Sequence, residues 1–190
     1  HPDGVDLGHV SWGHAVSRDA VRWPLLPPAL LHEQDMMIYS GSAVVDWNNS
    51  SGLGDPEHPP LVAIYTAHYR DHTRENQEIA FSTDRGRTWT KYAGNPVLDV
   101  EETDFRDPKV FWHAPSDRWI MVVALPVSRK VSFYASSNLK EWRHLSDFGP
   151  AGATIGVWEC PDLFELPVDG DASDTRWILI VNLNPGGPAG

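Results

Sequence analysis

Cys160 is the only cysteine of this 190-residue chain, so an internal disulfide framework is excluded. Basic charge is scarce too: 15 Lys and Arg stand against 26 Asp and Glu, for a formal net charge of −11. Nucleic acid and anionic membrane surfaces both recruit basic patches, so neither is an expected partner. A neutral sugar is indifferent to such a charge. No apolar run approaches the roughly 18 residues of a membrane span. The nine histidines are scattered. His68 and His72 flank the polar stretch Tyr69-Arg70-Asp71 and have no third ligand at zinc-type spacing, so no metal and no other cofactor is expected. No long segment has helical periodicity. No initiator methionine or apolar leader precedes His1-Pro2-Asp3-Gly4. The far end, Asn184-Pro185-Gly186-Gly187-Pro188-Ala189-Gly190, stops in a glycine-rich turn after an apolar strand. The chain therefore reads as an internal piece of a longer protein.

What is present is an all-β pattern: short runs rich in β-branched and aromatic residues, separated by Gly, Pro, Asn and Asp clusters. Such runs include 42–45, 61–65, 119–124, 131–135 and 177–181. Their apolarity predicts strands covered on both faces. Two repeats organise them. The first is a turn, Ser82-Thr83-Asp84-Arg85-Gly86-Arg87-Thr88-Trp89, which resembles the Asp-box of sialidases and related propellers. Weaker copies run from Ser17-Arg18-Asp19 to Trp23 and from Ser136-Ser137-Asn138 to Trp142, their serines 65 and 54 residues from that of the full copy. In each, a short polar side chain can close a turn on its own backbone while the tryptophan packs back on the sheet. The second repeat sets a carboxylate at the start of a strand: Asp107 before one, Glu159 before another, 52 residues apart. Matching positions in successive blades of a propeller converge on the central channel. The spacing thus places Asp107 and Glu159 in one pocket. Roughly three blade-lengths fit the chain, fewer than the four of the smallest closed propellers.

Converging carboxylates in a tryptophan-rich pocket suit glycoside cleavage, which needs one protonated acid and one ionised group. The apolar approach Val157-Trp158 would favour the protonated form of Glu159, and Arg106 would keep its neighbour Asp107 ionised. Neighbours on a regular strand point to opposite faces, so Arg106 and Asp107 reach one sugar only from a strand end or a bulge. The plain alternatives are an Asp-Pro turn and a structural ion pair at Glu159.

At this point an ordered set of motifs resembles glycoside hydrolase family 32, the invertase, levanase and inulinase group. Trp12-Gly13-His14-Ala15-Val16-Ser17-Arg18-Asp19 looks like its entry segment, and Tyr39-Ser40-Gly41-Ser42 like its substrate-lining motif. Phe105-Arg106-Asp107-Pro108-Lys109-Val110 resembles its Arg-Asp-Pro motif, and Trp158-Glu159-Cys160-Pro161-Asp162-Leu163-Phe164 its Glu-Cys-Pro motif. Asn184-Pro185-Gly186-Gly187 is similar to the turn closing a later strand. The resemblance implies part of a five-bladed β-propeller, an incomplete catalytic domain over residues 1–190, and retaining hydrolysis of β-fructosides such as sucrose, levan or inulin. It implies Glu159 as general acid/base, Asp107 as transition-state stabiliser, and Arg106, Tyr39 and Ser40 as substrate contacts. The family nucleophile lies in an Asn-Asp-Pro motif, which this sequence does not contain; it is expected upstream of His1, leaving the piece alone inactive. Leu7 stands where a pocket tryptophan is common, and Trp47, beside Asn48-Asn49, is a candidate contact for a longer substrate. A fructosyltransferase of the same family, a propeller hydrolase acting on arabinose or xylose polymers, and a non-hydrolytic sugar-binding propeller remain open. A secreted protein is favoured over a cytoplasmic one, and the oligomeric state is left open.

Overall fold

The computed structural model describes residues 9–55 and 57–185; Leu7, Gly186 and Gly187 lie outside them. The apolar runs become strands of antiparallel meanders. β1 (Trp12–Ala15) pairs with β2 (Leu25–Leu30). β3 (Met36–Val45), β4 (Leu61–Tyr69), β5 (Glu75–Ser82) and β6 (Thr90–Lys91) form a four-stranded sheet in chain order. A second four-stranded sheet follows from β7 (Arg106–His113), β8 (Arg118–Leu125), β9 (Lys130–Ser136) and β10 (Arg143–Phe148). β11 (Val157–Val168) and β12 (Asp171–Asn184) make a final pair. Ala114–Ser116 forms a 3-10 turn, and no α-helix occurs among the described residues.

The first strands β3, β7 and β11 pack side by side, as the innermost strands of consecutive propeller blades do. Between the two four-stranded sheets lies the main core, built from Val62, Ile64, Ile79, Phe105, Val110, Trp119 and Met121 among others. Burying a side chain of this size contributes about 1.5–3 kcal/mol, so the sheet-to-sheet seam carries much of the fold. β4, β8 and β9 are covered on both faces, as their apolar runs predict. The run in β12 is not: Trp177, Ile178 and Ile180 are 43%, 37% and 46% exposed. Leu179, Val181 and Leu183 on one face of β12 pack toward Val122 and Val131, whereas no further sheet among the described residues covers the face that carries Ile178 and Ile180.

The three turn copies share one hydrogen-bond scheme. Ser82 Oγ donates to Asp84, whose carboxylate accepts the Arg87 and Thr88 amides, and Trp89 Nε1 donates to the Gly86 carbonyl. Asp19 accepts from Val21 and Arg22 with Trp23 on the Ala20 carbonyl; Asn138 accepts from Lys140 and Glu141 with Trp142 on the Leu139 carbonyl. The residue after each acid or amide takes a left-handed φ: 58° at Ala20, 62° at Arg85 and 62° at Leu139. Trp89 and Trp142 pack on their sheets, whereas Trp23 is 57% exposed beside the short β1–β2 pair.

Candidate active site

Each innermost strand carries one bulge near its start. The register slips between Ile38 and Gly41 in β3, between Arg106 and Lys109 in β7, and between Glu159 and Asp162 in β11. A bulge adds one residue to one strand, bends it and re-aims the side chains beside it. Asp107 and Cys160 occupy the second position of their bulges with left-handed φ of 64° and 49°. The blade repeat is therefore 53 residues, pairing Arg106 with Glu159, Asp107 with Cys160 and Pro108 with Pro161. The interval of 52 that aligned Asp107 with Glu159 is off by one, because it matched two carboxylates by charge rather than by backbone position.

The two bulges are nonetheless joined, although of the two carboxylates only Asp107 lines the cavity between them. Arg106 donates from Nε and Nη2 to Glu159 Oε1, at 3.2 and 3.0 Å. Asp107 Oδ2 accepts the Cys160 amide at 2.8 Å, so the bulges of β7 and β11 are stitched directly together. Between the three bulges opens a cavity of about 290 Å³ lined by Ser40, Gly41 and Ser42, by Asp107, Pro108 and Lys109, and by Cys160, Pro161 and Asp162. Three consecutive residues from each of three neighbouring blades define it. Lys109 and Asp162 form an ion pair across it at 3.0 Å. Gly41 is required for close approach: a Cβ there would sit 2.0 Å from the Ile64 carbonyl oxygen. Ser42 Oγ joins β3 to β7 by donating to the Pro108 carbonyl and accepting the Val110 amide.

The local charges correct the expected division of labour. Arg106 spends its hydrogen bonds on Glu159 and other carboxylates, not on Asp107. Burial instead pushes the Asp107 carboxyl above its usual value, outweighing the Cys160 amide and the Arg106 charge, which pull it down. Trp158 does not shroud Glu159. Its ring turns to the other side of β11, against Val122, Val131 and Phe148, while Glu159 receives Arg106 and Asn184 Nδ2, the latter at 3.0 Å. Adjacent residues on a strand face opposite ways, and the bulge begins only after Glu159. Burial pushes the Cys160 thiol up to about 11, with the Asp107 charge adding to it.

Tyr39 and Ser40 divide. Ser40 lines the cavity, whereas the Tyr39 ring lies parallel on His68, with centroids 4.4 Å apart. His68 Nδ1 is 2.9 Å from Glu75 Oε1, and Glu75 in turn holds Arg106, so Tyr39 sits behind the arginine. Burial and the charge of Glu75 push the Tyr39 hydroxyl above its ordinary value. Sequence reasoning missed Glu75, Thr66, Gln77 and Asn184. Thr66 Oγ1 accepts the Asp107 amide at 3.1 Å, and Gln77 Nε2 donates to the Phe105 carbonyl at 2.6 Å. A signal existed: four consecutive polar residues, Glu75-Asn76-Gln77-Glu78, lead directly into the apolar strand Ile79-Ala80-Phe81, and all four are buried. His68 and His72 contact each other at 3.1 Å, and no group of three or more His, Cys, Asp or Glu suited to a metal occurs among the described residues. Trp47 is placed away from the site. It follows the far end of β3, seven residues past Ser40 and so roughly 20 Å along the strand, and lines a separate cleft with His58, Leu61 and Arg85.

The glycosyl hydrolases family 32 N-terminal domain matches residues 1–189. The chain belongs to glycoside hydrolase family 32. It is 50% identical to the levanase of Bacillus subtilis (strain 168), over all of this chain and 28% of that protein. It is 44% identical to the extracellular exo-inulinase inuE of Aspergillus niger, over all of this chain and 40% of the relative. With the invertase of Schizosaccharomyces pombe the identity is 42%, over all of this chain and 34% of the relative. The structure superposes on exo-inulinase from Aspergillus awamori with a TM-score of 0.91 at 42% identity, covering 99% of this chain and 41% of that one. The β-fructofuranosidase of Schwanniomyces occidentalis complexed with fructosyl-erythritol gives a TM-score of 0.91 at 41% identity, covering all of this chain and 37% of that one. This family-32 chain thus spans between about a quarter and two fifths of the length of these relatives. Its sheets are part of a five-bladed β-propeller.

Proposed function

We propose that the protein hydrolyses β-fructofuranosyl linkages with retention of configuration, with Glu159 as general acid/base and Asp107 as transition-state stabiliser. The observation that supports the reading is the network joining the bulges of β7 and β11 in a family-32 chain: Arg106 grips Glu159, and Asp107, which lines the cavity, accepts the Cys160 amide. In the first step the Glu159 carboxyl gives its proton to the glycosidic oxygen as the bond to the anomeric carbon breaks. A second carboxylate attacks that carbon and forms a fructosyl ester. In the return step ionised Glu159 takes a proton from water, whose oxygen displaces the ester. The attacking carboxylate is that of the family's Asn-Asp-Pro motif, which is not part of this sequence; this chain supplies the acid/base and the groups that grip the sugar. Asp107, with its backbone fixed by Thr66 and its carboxylate by Cys160, accepts hydrogen bonds from fructose hydroxyls. Ser40, in the cavity lining, and Arg106 are the further substrate contacts, while Tyr39, stacked on His68, backs the arginine.

The substrate class is the β-fructosides. The relatives named levanase, exo-inulinase and invertase support it, and the extracellular exo-inulinase supports a secreted protein. No helix among the described residues is long and apolar enough to cross a membrane. The reading is tested by Glu159→Gln in the full-length protein, assayed on sucrose, levan and inulin. We expect kcat to fall about a hundredfold or more, the usual contribution of a positioned acid/base. Unchanged turnover overturns the assignment, and oligosaccharides in place of free fructose would mark a transferase.

A further inference from the structure

Arg106 carries a counter-charge that the proposed reaction does not use. Its Nη1 donates to Glu75 Oε2 at 3.1 Å and to Asp104 Oδ1 at 2.8 Å, while its opposite edge, Nε and Nη2, holds Glu159. Glu75 is 1% exposed. Its two oxygens also accept the Phe105 amide at 2.8 Å and face His68 Nδ1 at 2.9 Å, so the carboxylate is fixed on every side. A guanidinium offered to a single carboxylate would hold it ionised, which is the wrong state for an acid about to give up a proton. A second, buried carboxylate on the far edge of the same guanidinium draws off part of that pull.

We propose that Glu75 is a positioning residue for the acid/base. It turns the Nε/Nη2 edge of Arg106 toward Glu159 and offsets the arginine's charge, so that Glu159 can hold its proton until the leaving oxygen takes it. The proposal rests on the assignment of Glu159 as the acid. The groups that set the balance are few. Glu159 faces Arg106 and Asn184, with Asp107 one bulge away through the Cys160 amide. Glu75 faces Arg106 and His68, and His68 meets His72 and the Tyr39 ring. Asp104 reaches Arg106 from the more exposed side.

The test is the pH dependence of kcat/KM on sucrose for the full-length protein, whose alkaline limb reports loss of the essential proton from the free enzyme's acid. Glu75→Gln keeps the size and the acceptor for the Phe105 amide but removes the charge. The ionised form of Glu159 then gains from the unshared arginine, and the limb moves toward acid by about one pH unit. Glu75→Asp retains the charge and returns the limb toward its original place. A limb that stays put in a folded Glu75→Gln protein overturns the proposal. If that variant is not recovered folded, Asp104→Asn decides, because it removes a counter-charge from the same Nη1 at a half-exposed site. A smaller move in the same direction supports the proposal, and none overturns it. Glu159→Gln in the same series separates the two ideas. If it is inactive while Glu75→Gln keeps the original profile, the positioning role fails and the acid assignment stands.

Discussion

Asp107 shows what the site asks of a single residue. Its carboxyl is pushed up chiefly by burial, and its φ of 64° lies in a region few side chains other than Asn and Asp enter readily. In the window just above the ordinary carboxylate value the native protein keeps a proton here that the unfolded chain has released. Stability therefore falls as pH rises through that window, and the loss is complete above the native value. Asp107→Asn removes this cost, accepts the same Cys160 amide through its carbonyl, and suits the left-handed backbone. In the full-length protein we expect the variant to be inactive on sucrose yet to melt higher than wild type at pH 7. The difference should vanish near pH 3, as scanning calorimetry at the two pH values would show. At this scale much was legible: Asp107 and Ser40 line the cavity, and Arg106 and Glu159, the residues just before Asp107 and Cys160, pair with each other. The charge states were not, because they depend on where the Arg106 fork points, and its buried partner Glu75 comes from β5, 31 residues away.

The strand bulges are the elements that make the site. β3 brings Ser40 and Ser42 to the cavity only because Gly41 lets its backbone lie against β4, with no room for a methyl group. Gly41→Ala should lower stability by about 3 kcal/mol, since the clash is with backbone and no side chain can swing aside. Gly13→Ala in β1, whose Cβ would meet nothing within 4 Å, serves as the control and should change it by less than about 0.5 kcal/mol. Urea denaturation followed by circular dichroism checks both. The turn motif was readable because its hydrogen bonds are local: a side-chain oxygen two residues past a serine accepts amides two to four residues further on whatever the rest of the chain does. The bulges were read only as a requirement, from the need of Arg106 and Asp107 to share a side. Their register, and the interval of 53, arise from pairing with strands a turn away, which composition along one strand does not encode.

For the whole molecule, Phe105 is the keystone between blades. It is fully buried in the seam shared by the two four-stranded sheets, its ring edge-on to Tyr134. Its amide and carbonyl are held by Glu75 and Gln77 of β5. Phe105→Ala should therefore cost about 3–5 kcal/mol and also weaken the grip on Arg106 next door. The checks are chemical denaturation and a drop in kcat on sucrose in the full-length protein measured well below the unfolding midpoint. The all-β propeller was legible because radial stacking demands apolar strands at a repeating interval, and two of the four sheets show it in full. The exposed face of β12 was not, because an apolar run records what a strand can bury and not which neighbour covers it.

The extra residue in β3, β7 and β11 breaks the even–odd parity that otherwise ties a wall-lining side chain to its neighbours two places away. Upstream of each insertion the alternation is set by one phase, downstream by the other. The sheet's packing is thereby insulated from whatever the lumen carries. A mouth rebuilt with different functional groups at these three points would leave the hydrophobic seams behind it unaltered, so a blade of this design can change its chemistry without renegotiating its fold.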